Sequence, residues 1–233
     1  MNKNYRVNPM RMAAKAEDEC EEVFQYPKIE GIFADEDHNE ISIIGTIKDG
    51  SYNDFRILFS ELVDKQYEKK EELREPIIVY ISSHGGDVIQ ALNIVNEIQS
   101  AQLEGITVYT KAGDSVMSAA LLIFMCGTVR LCNRYTHFLF HQVSGGCRAD
   151  ELVQQERNRD FSLLLWSEFK RLTIENTNVD EEWIEDKYNH VKDFSFFGYD
   201  AVELGFADAS LQPATVLERV NEEEELENTE EEM

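Results

Sequence analysis

PIIVYISSHGGDVIQALNIVNEIQSAQ, residues 76–102, is the stretch on which the fold turns. After Pro76, the run IIVYIS is nearly continuously apolar, as in a strand buried on both faces. Gly85-Gly86 breaks it, and from Val88 to Gln102 apolar residues return at helical spacing, at Ile89, Leu92, Val95 and Ile98. Buried strand, glycine turn and amphipathic helix make one βα unit, and the same alternation continues outward in both directions. Upstream, Ile41 to Ile47 predicts a strand and Tyr52 to Lys65 an amphipathic helix. Downstream come a strand from Ile106 to Lys111 and a buried helix from Met117 to Cys126. Val129 to Leu131 and Thr136 to Phe140 read as strands, and Ala149 to Leu172 as a long helix. Glu181 to Tyr188 and Tyr199 to Leu204 close the series as short helices. Repeated βαβ units predict an α/β fold with largely parallel strands.

The ends differ from this middle. Residues 1–39 are polar and mixed, with Val23-Phe24 and Ile32-Phe33 as the apolar anchors, and read as an N-terminal arm. Residues 40–210 form the folded domain. Residues 211–233 form an acidic C-terminal tail, whose NEEEELENTEEEM segment holds eight glutamates and no base, a composition that repels itself and stays solvated.

Composition excludes several classes of function. A formal net charge of −24 argues against binding nucleic acid or an anionic membrane, both of which demand a basic face. The uncharged stretch from Ser115 to Val129 is shorter than the ~20 apolar residues of a membrane span. The first twenty residues carry Lys3, Arg6, Arg11 and Lys15 without an apolar h-region, so no secretory signal is expected. Cys20, Cys126, Cys132 and Cys147 show neither C-x-x-C nor zinc spacing and fit a reduced, cytoplasmic protein. Five scattered histidines, with no H-E-x-x-H or paired carboxylates, give no metal site and imply no cofactor.

Four local features carry chemistry. SSHGGD, Ser82 to Asp87, lies between strand and helix, where two glycines let a backbone N–H approach a ligand; it also reads as a plain turn. GDSVMSAALLIFMCG, Gly113 to Gly127, puts hydroxyls at the start of an apolar helix. Ser115 or Asp114 would serve as the cap, leaving Ser118 in the first turn, at the positive end of the dipole where an oxyanion is stabilised. YTHFLFHQ, Tyr135 to Gln142, places His137, Leu139 and His141 on one side of a strand and Phe138 and Phe140 on the other. His141 falls at the strand's end, where functional side chains of parallel sheets emerge, and His137 competes from nearer the middle. Asp193 stands beside Phe194, Phe196 and Phe197, as a partly buried acid or as a helix cap.

Read in order, these motifs make the chain resemble the proteolytic subunits of the Clp proteases (ClpP), serine peptidases with a Ser-His-Asp triad. The family's N-S-P-G-G is similar to Ser82–Gly86. Its A-S-M-G-A-F-L-L-A-A-G is similar to Met117–Gly127, and its M-I-H-Q-P to Leu139–Val143. Its R-D-x-F-x-S-A-x-E-A-x-E-Y-G-L-x-D is similar to Lys192–Asp208. The departures are His84 for proline, Ala119-Ala120 for Met-Gly after the nucleophile, and Lys192 for an arginine used in ring-to-ring contacts.

The resemblance implies a ClpP/crotonase-like spiral of repeated βαβ units. It makes Ser118 the nucleophile, His141 the base and Asp193 the acid, with Gly86 and Ala119 supplying the oxyanion hole. It implies hydrolysis of unfolded polypeptides inside a homo-oligomeric ring, with an AAA+ unfoldase as partner. The chain itself carries no Walker A sequence. Ser115 stands next in line as nucleophile. Two other readings stay open: a phage-type capsid or head maturation protease, and a non-catalytic structural subunit of a mixed ring. The apolar Phe161–Trp166 stretch of the long helix is expected to bury surface against a neighbouring subunit.

Overall fold

The structure, a computed structural model, describes residues 30–142, 152–187, 191 and 193–211. The expectations for residues 1–29, for the first residues of the long helix, for Lys192 and for the acidic tail beyond Leu211 lie outside the described residues.

The first half of the chain is built by βα alternation. Strand β1 (Gly31–Asp35) pairs antiparallel with β2 (Glu40–Ile47), which leads into helix α1 (Ser51–Tyr67). Strand β3 (Ile77–Gly86), helix α2 (Val88–Leu103), strand β4 (Val108–Met117), helix α3 (Ala119–Met125) and strand β5 (Val129–Asn133) follow. Strands β2, β3, β4 and β5 run parallel in that spatial order. Helix α2 starts sharply because the Asp87 carboxylate accepts hydrogen bonds from the N–H groups of Ile89 and Gln90, at 2.8 and 3.0 Å.

The core lies on one face of this sheet. Ile41, Ile43, Ile77, Val79, Ile81 and Val108 are buried there with Phe55, Phe59 and Leu62 of α1, Ile94 and Ile98 of α2, and the whole of α3. Strand β3 was expected to be buried on both faces, but its residues alternate: Ile77, Val79 and Ile81 are buried while Ile78, Tyr80 and Ser82 are half-buried. Helices α1–α3 all pack on one side, so one face of the parallel sheet stays partly open.

The second half of the chain attaches to β4. Strands β6 (His137–His141) and β7 (Asp193–Phe197) form an antiparallel ribbon, while helices α4 (Leu152–Asn176), α5 (Glu181–Asp186) and α6 (Gly198–Glu203) pack around it. Strand β8 (Ala209–Leu211) adds to β5. Strand β4 serves two neighbours in turn. Tyr109–Lys111 pairs with β5, and Ser115–Met117 pairs with β6. The switch falls at Gly113-Asp114, where the register against β3 slips between Ile81↔Ala112 and Ser83↔Val116. Gly113 is needed there: a Cβ would lie 2.4 Å from the Tyr80 hydroxyl and 2.9 Å from Ser82 Cβ.

Several sequence expectations are corrected. β4 does not end at Lys111 but continues through Met117, because a new strand becomes available beyond the bulge. Asp114 and Ser115 therefore lie in a strand and cap no helix. Gly85-Gly86 does not break β3, which keeps pairing with β2 as far as Gly86↔Ile47. Residues 31–35, assigned to the arm, form an edge strand of the sheet. β7 and β8 were not anticipated as strands; both are short, and each draws its partner from far along the chain.

Candidate active site

Ser118 occupies the turn between β4 and α3. It precedes the helix as its N-cap residue, rather than lying in the first turn, with φ 54° and ψ −128°. A non-glycine residue there is strained, by about 1–3 kcal/mol, and such strain persists only where the surroundings fix it. Three contacts do so. The Ser118 N–H donates to the Leu139 carbonyl of β6 at 2.9 Å, and the Ser118 carbonyl accepts from Leu121 N–H at 2.9 Å. Behind it, Gly85 (φ +87°) is pressed so close that a Cβ would lie 2.6 Å from Met117 O, 2.8 Å from Ser118 Cβ and 2.9 Å from Ala119 N. The Ser118 hydroxyl makes no cap hydrogen bond, so it is left to other partners. This is the geometry of a strand-to-helix nucleophile elbow.

His141 and Asp193 meet across the β6–β7 ribbon. They are register partners at its end, with His141 Nδ1 and Asp193 Oδ1 4.0 Å apart. The His141 side chain is 23% exposed and that of Asp193 75%. The ribbon's alternation decides which way they face. Phe138 and Phe140 point inward, Phe138 against Phe124 and Phe196, Phe140 against Trp166, Phe169 and Trp183. Opposite them Phe194 and Phe196 stack at 5.4 Å, and Phe194 meets Trp183 edge-on. With these rings inside, His137, Leu139 and His141 take the other face, as the sequence predicted. Asp193 is therefore a strand residue and not a helix cap.

The hydrogen bond from Ser118 N–H to Leu139 places the serine beside the strand that carries His141. The rival residues separate cleanly: His137 is the register partner of Ser115 and lies 5.7 Å, ring to ring, from Phe197. Gly86 has φ +143°, and a Cβ on it would lie 2.1 Å from Ile47 O; it is locked against the end of β2. Ala119 opens α3, directly after Ser118. Gly85, which sequence reasoning passed over for Gly86, makes the tighter approach to Ser118. Its signal was present, since a second glycine is superfluous in a plain turn.

Among the described residues neither cysteine competes as nucleophile. Cys126 is buried in the helix-packed core, and burial pushes its thiol up to about 12. No group of three or more metal-binding side chains occurs among the described residues, and no described helix is long and apolar enough to cross a membrane.

The chain matches the Clp protease family over residues 36–213. Among solved structures it is similar to a ClpP1 mutant from Listeria monocytogenes, at 20% identity and a TM-score of 0.62, over 76% of this chain and 94% of that one. The likeness shows that the ClpP/crotonase-like fold expected from the sequence is the fold of this chain. No curated protein matches it significantly.

Proposed function

Since the chain belongs to the Clp protease family, we propose that it is a serine endopeptidase with Ser118 as nucleophile, His141 as general base and Asp193 as the acid that orients it. The observation that carries this reading is the strained conformation of Ser118, φ 54° and ψ −128°, on the turn next to the strand bearing His141. Strain of this kind has no structural use at a position that glycine would fill freely.

The chemistry follows from the arrangement. Ser118 Oγ attacks the carbonyl carbon of a peptide bond while its proton passes to His141 Nε2, the ring nitrogen turned away from Asp193. The tetrahedral oxyanion is received by backbone N–H groups of Gly86 and Ala119; losing one such donor typically costs about 3 kcal/mol. Collapse breaks the C–N bond, the leaving amine takes the proton from His141, and water hydrolyses the acyl-enzyme by the same steps. Asp193 holds the tautomer that leaves Nε2 free to accept.

The substrate class is unfolded polypeptide, cleaved in a homo-oligomeric chamber with an AAA+ unfoldase as partner. What supports assembly is the exposed apolar side of α4, where Phe161, Leu163 and Leu164 are 49%, 48% and 57% exposed. The wide exposure of Asp193 favours a second reading, a non-catalytic subunit of a mixed ring. A fluorophosphonate probe and a short fluorogenic peptide decide between them. Labelling and cleavage by the purified chain, both absent in Ser118→Ala, are expected; an unlabelled, inactive wild type would leave the structural subunit.

A further inference from the structure

At the bulge of β4 the open face of the sheet contains a cavity of about 160 Å³ outside the triad. Its walls come from three strands: Ile44 and Thr46 of β2, Ser82 and His84 of β3, Asp114 and Ser115 of β4, with Glu30 at the rim. Among the described residues its wall includes two carboxylates and no lysine or arginine. The Asp114 carboxylate is fixed, accepting from the Ser82 hydroxyl and from Ser115 N–H at 3.0 Å. Its charge reaches the neighbouring Tyr80, whose phenol is raised by burial first and by Asp114 second.

The hydroxyl of Ser115 is the second sign of a ligand. Ser115 is only 7% exposed, lines this cavity, and its Oγ has no hydrogen-bond partner among the described residues. Opening into the cavity, this hydroxyl is free to accept from a ligand's donor. Acceptors from Asp114 and Ser115 thus converge on a space with one aliphatic wall, Ile44. At ~30 Å³ per water-sized group, 160 Å³ holds about five heavy atoms. Four methylenes and an ammonium, a lysine side chain beyond Cα, fit that count.

We infer that this cavity is a specificity subsite that takes the basic side chain, lysine foremost, of the polypeptide substrate. The inference rests on the proposed peptidase reading for the nature of the ligand, though the cavity stands apart from the triad. Both lie on one sheet face: Ser115 and Met117 pair with His137 and Leu139, and His141 follows on the same side of β6. From Ser115 to Ser118 is three residues, about 10 Å at strand rise. A substrate running along this face would place its lysine two to four residues from the bond presented to Ser118.

The test uses the full chain as the Ser118→Ala variant and fluorescein-labelled alanine-based peptides, with one lysine or one norleucine walked along the sequence. Fluorescence anisotropy should show the lysine peptide binding about tenfold tighter than its norleucine isostere at one position, as expected of a charge-assisted hydrogen bond. Asp114→Asn should collapse that ratio towards one, and Ser115→Ala should lower it by a smaller factor. Equal affinity for the two peptides, or a lysine preference that survives Asp114→Asn in a variant with unchanged melting, overturns the subsite. So does binding of calcium at Asp114 that lysine peptides do not compete away. The two readings fail separately. A wild type that cleaves both peptides without preference keeps the peptidase and loses the subsite. A variant that binds lysine peptides selectively, beside a wild type that cleaves nothing, keeps the subsite and loses the peptidase.

Discussion

The two sides of the candidate triad are built by opposite means. Ser118 is gripped on its backbone by Leu139, Leu121 and Gly85, next to a helix whose seven residues are all buried. His141 and Asp193 stand at the open end of a two-stranded ribbon, 4.0 Å apart, with Asp193 three-quarters exposed. The candidate nucleophile is fixed by the core of the chain itself. The acid–base side is held by the aromatic backing of the ribbon, which sets the direction of the side chains without closing the distance between them. On the proposed reading, preorganisation is concentrated where strain is stored, and the histidine–aspartate contact would tighten only when substrate or a neighbouring copy covers it.

Replacing Ser118 by glycine separates the two properties most widely. Peptide hydrolysis should fall about a millionfold, as for loss of a triad serine. Stability should move the other way, rising by about 1 kcal/mol, since glycine adopts φ 54° and ψ −128° without strain and this outweighs its greater freedom when unfolded. Thermal or urea unfolding of the two proteins measures it. A glycine variant less stable than wild type would mean that the Ser118 conformation is not strained.

Gly85→Ala probes the same side from behind. The new methyl would meet backbone atoms of Met117 and Ala119 at 2.6 and 2.9 Å, at a residue with φ +87°. A loss of about 3 kcal/mol is expected, with activity falling as Ser118 is displaced. Denaturant midpoints that match wild type would remove Gly85 from its bracing role.

Arg130 braces the second half of the chain. Its guanidinium donates to both Asp208 oxygens and to the carbonyls of Asn176 and Gly205, tying β5 to the end of α4 and to the loop before β8. Arg130→Met should cost about 2 kcal/mol at pH 7 by leaving those acceptors unpaired. Burial pushes the Asp208 carboxyl up, but the hydrogen bonds and charge of Arg130 outweigh it and hold the group below its ordinary value. A depressed carboxyl contributes stability that is fully present above the unfolded value of about 3.9 and lost as pH falls through the folded one. The gap between wild type and Arg130→Met should therefore narrow below about pH 4. It should not close, because the two carbonyl contacts do not titrate. A gap independent of pH would show that the ion pair contributes nothing.

The same contrast explains what the sequence could tell. Strands β2 and β3 and helices α1 and α2 were legible as elements from their apolar runs and spacing, IIVYIS and then Ile89, Leu92, Val95 and Ile98. The buried face of α2 is nevertheless centred on Ala91, Ile94, Val95 and Ile98, and Ile89 is exposed. The side on which His141 lies was legible too, because Phe138 and Phe140 alternate with it. The course of β4 was not. Asp114 and Ser115 are good cap residues, and nothing local reveals that β6 will pair with Ser115–Met117 and draw the strand onward. Ser118 is thus a candidate that the sequence offers but places inside a helix, and its positive φ, the strongest physical sign at the site, is not written in any local pattern. The edge strand β1 and the pairing of Asp193 opposite His141 depend likewise on partners distant in sequence, and period alone does not carry that information.

The smallest effect expected is at Asp193. In a closed triad, exchanging the acid for its amide costs about ten thousandfold, because the histidine takes the wrong tautomer. At 4.0 Å and 75% exposure, Asp193 competes with water for His141 Nδ1, and an exposed pair of this kind is worth well under 1 kcal/mol. Asp193→Asn should therefore lower cleavage of a short fluorogenic peptide by only about two- to threefold in the dissociated chain, and leave its melting temperature unchanged. If assembly closes the contact, the same substitution should become far more damaging at protein concentrations where oligomers form, so the ratio of wild-type to variant activity should rise with concentration. A penalty near ten thousandfold at every concentration would mean that the chain alone closes the triad, and that its two sides are equally preorganised.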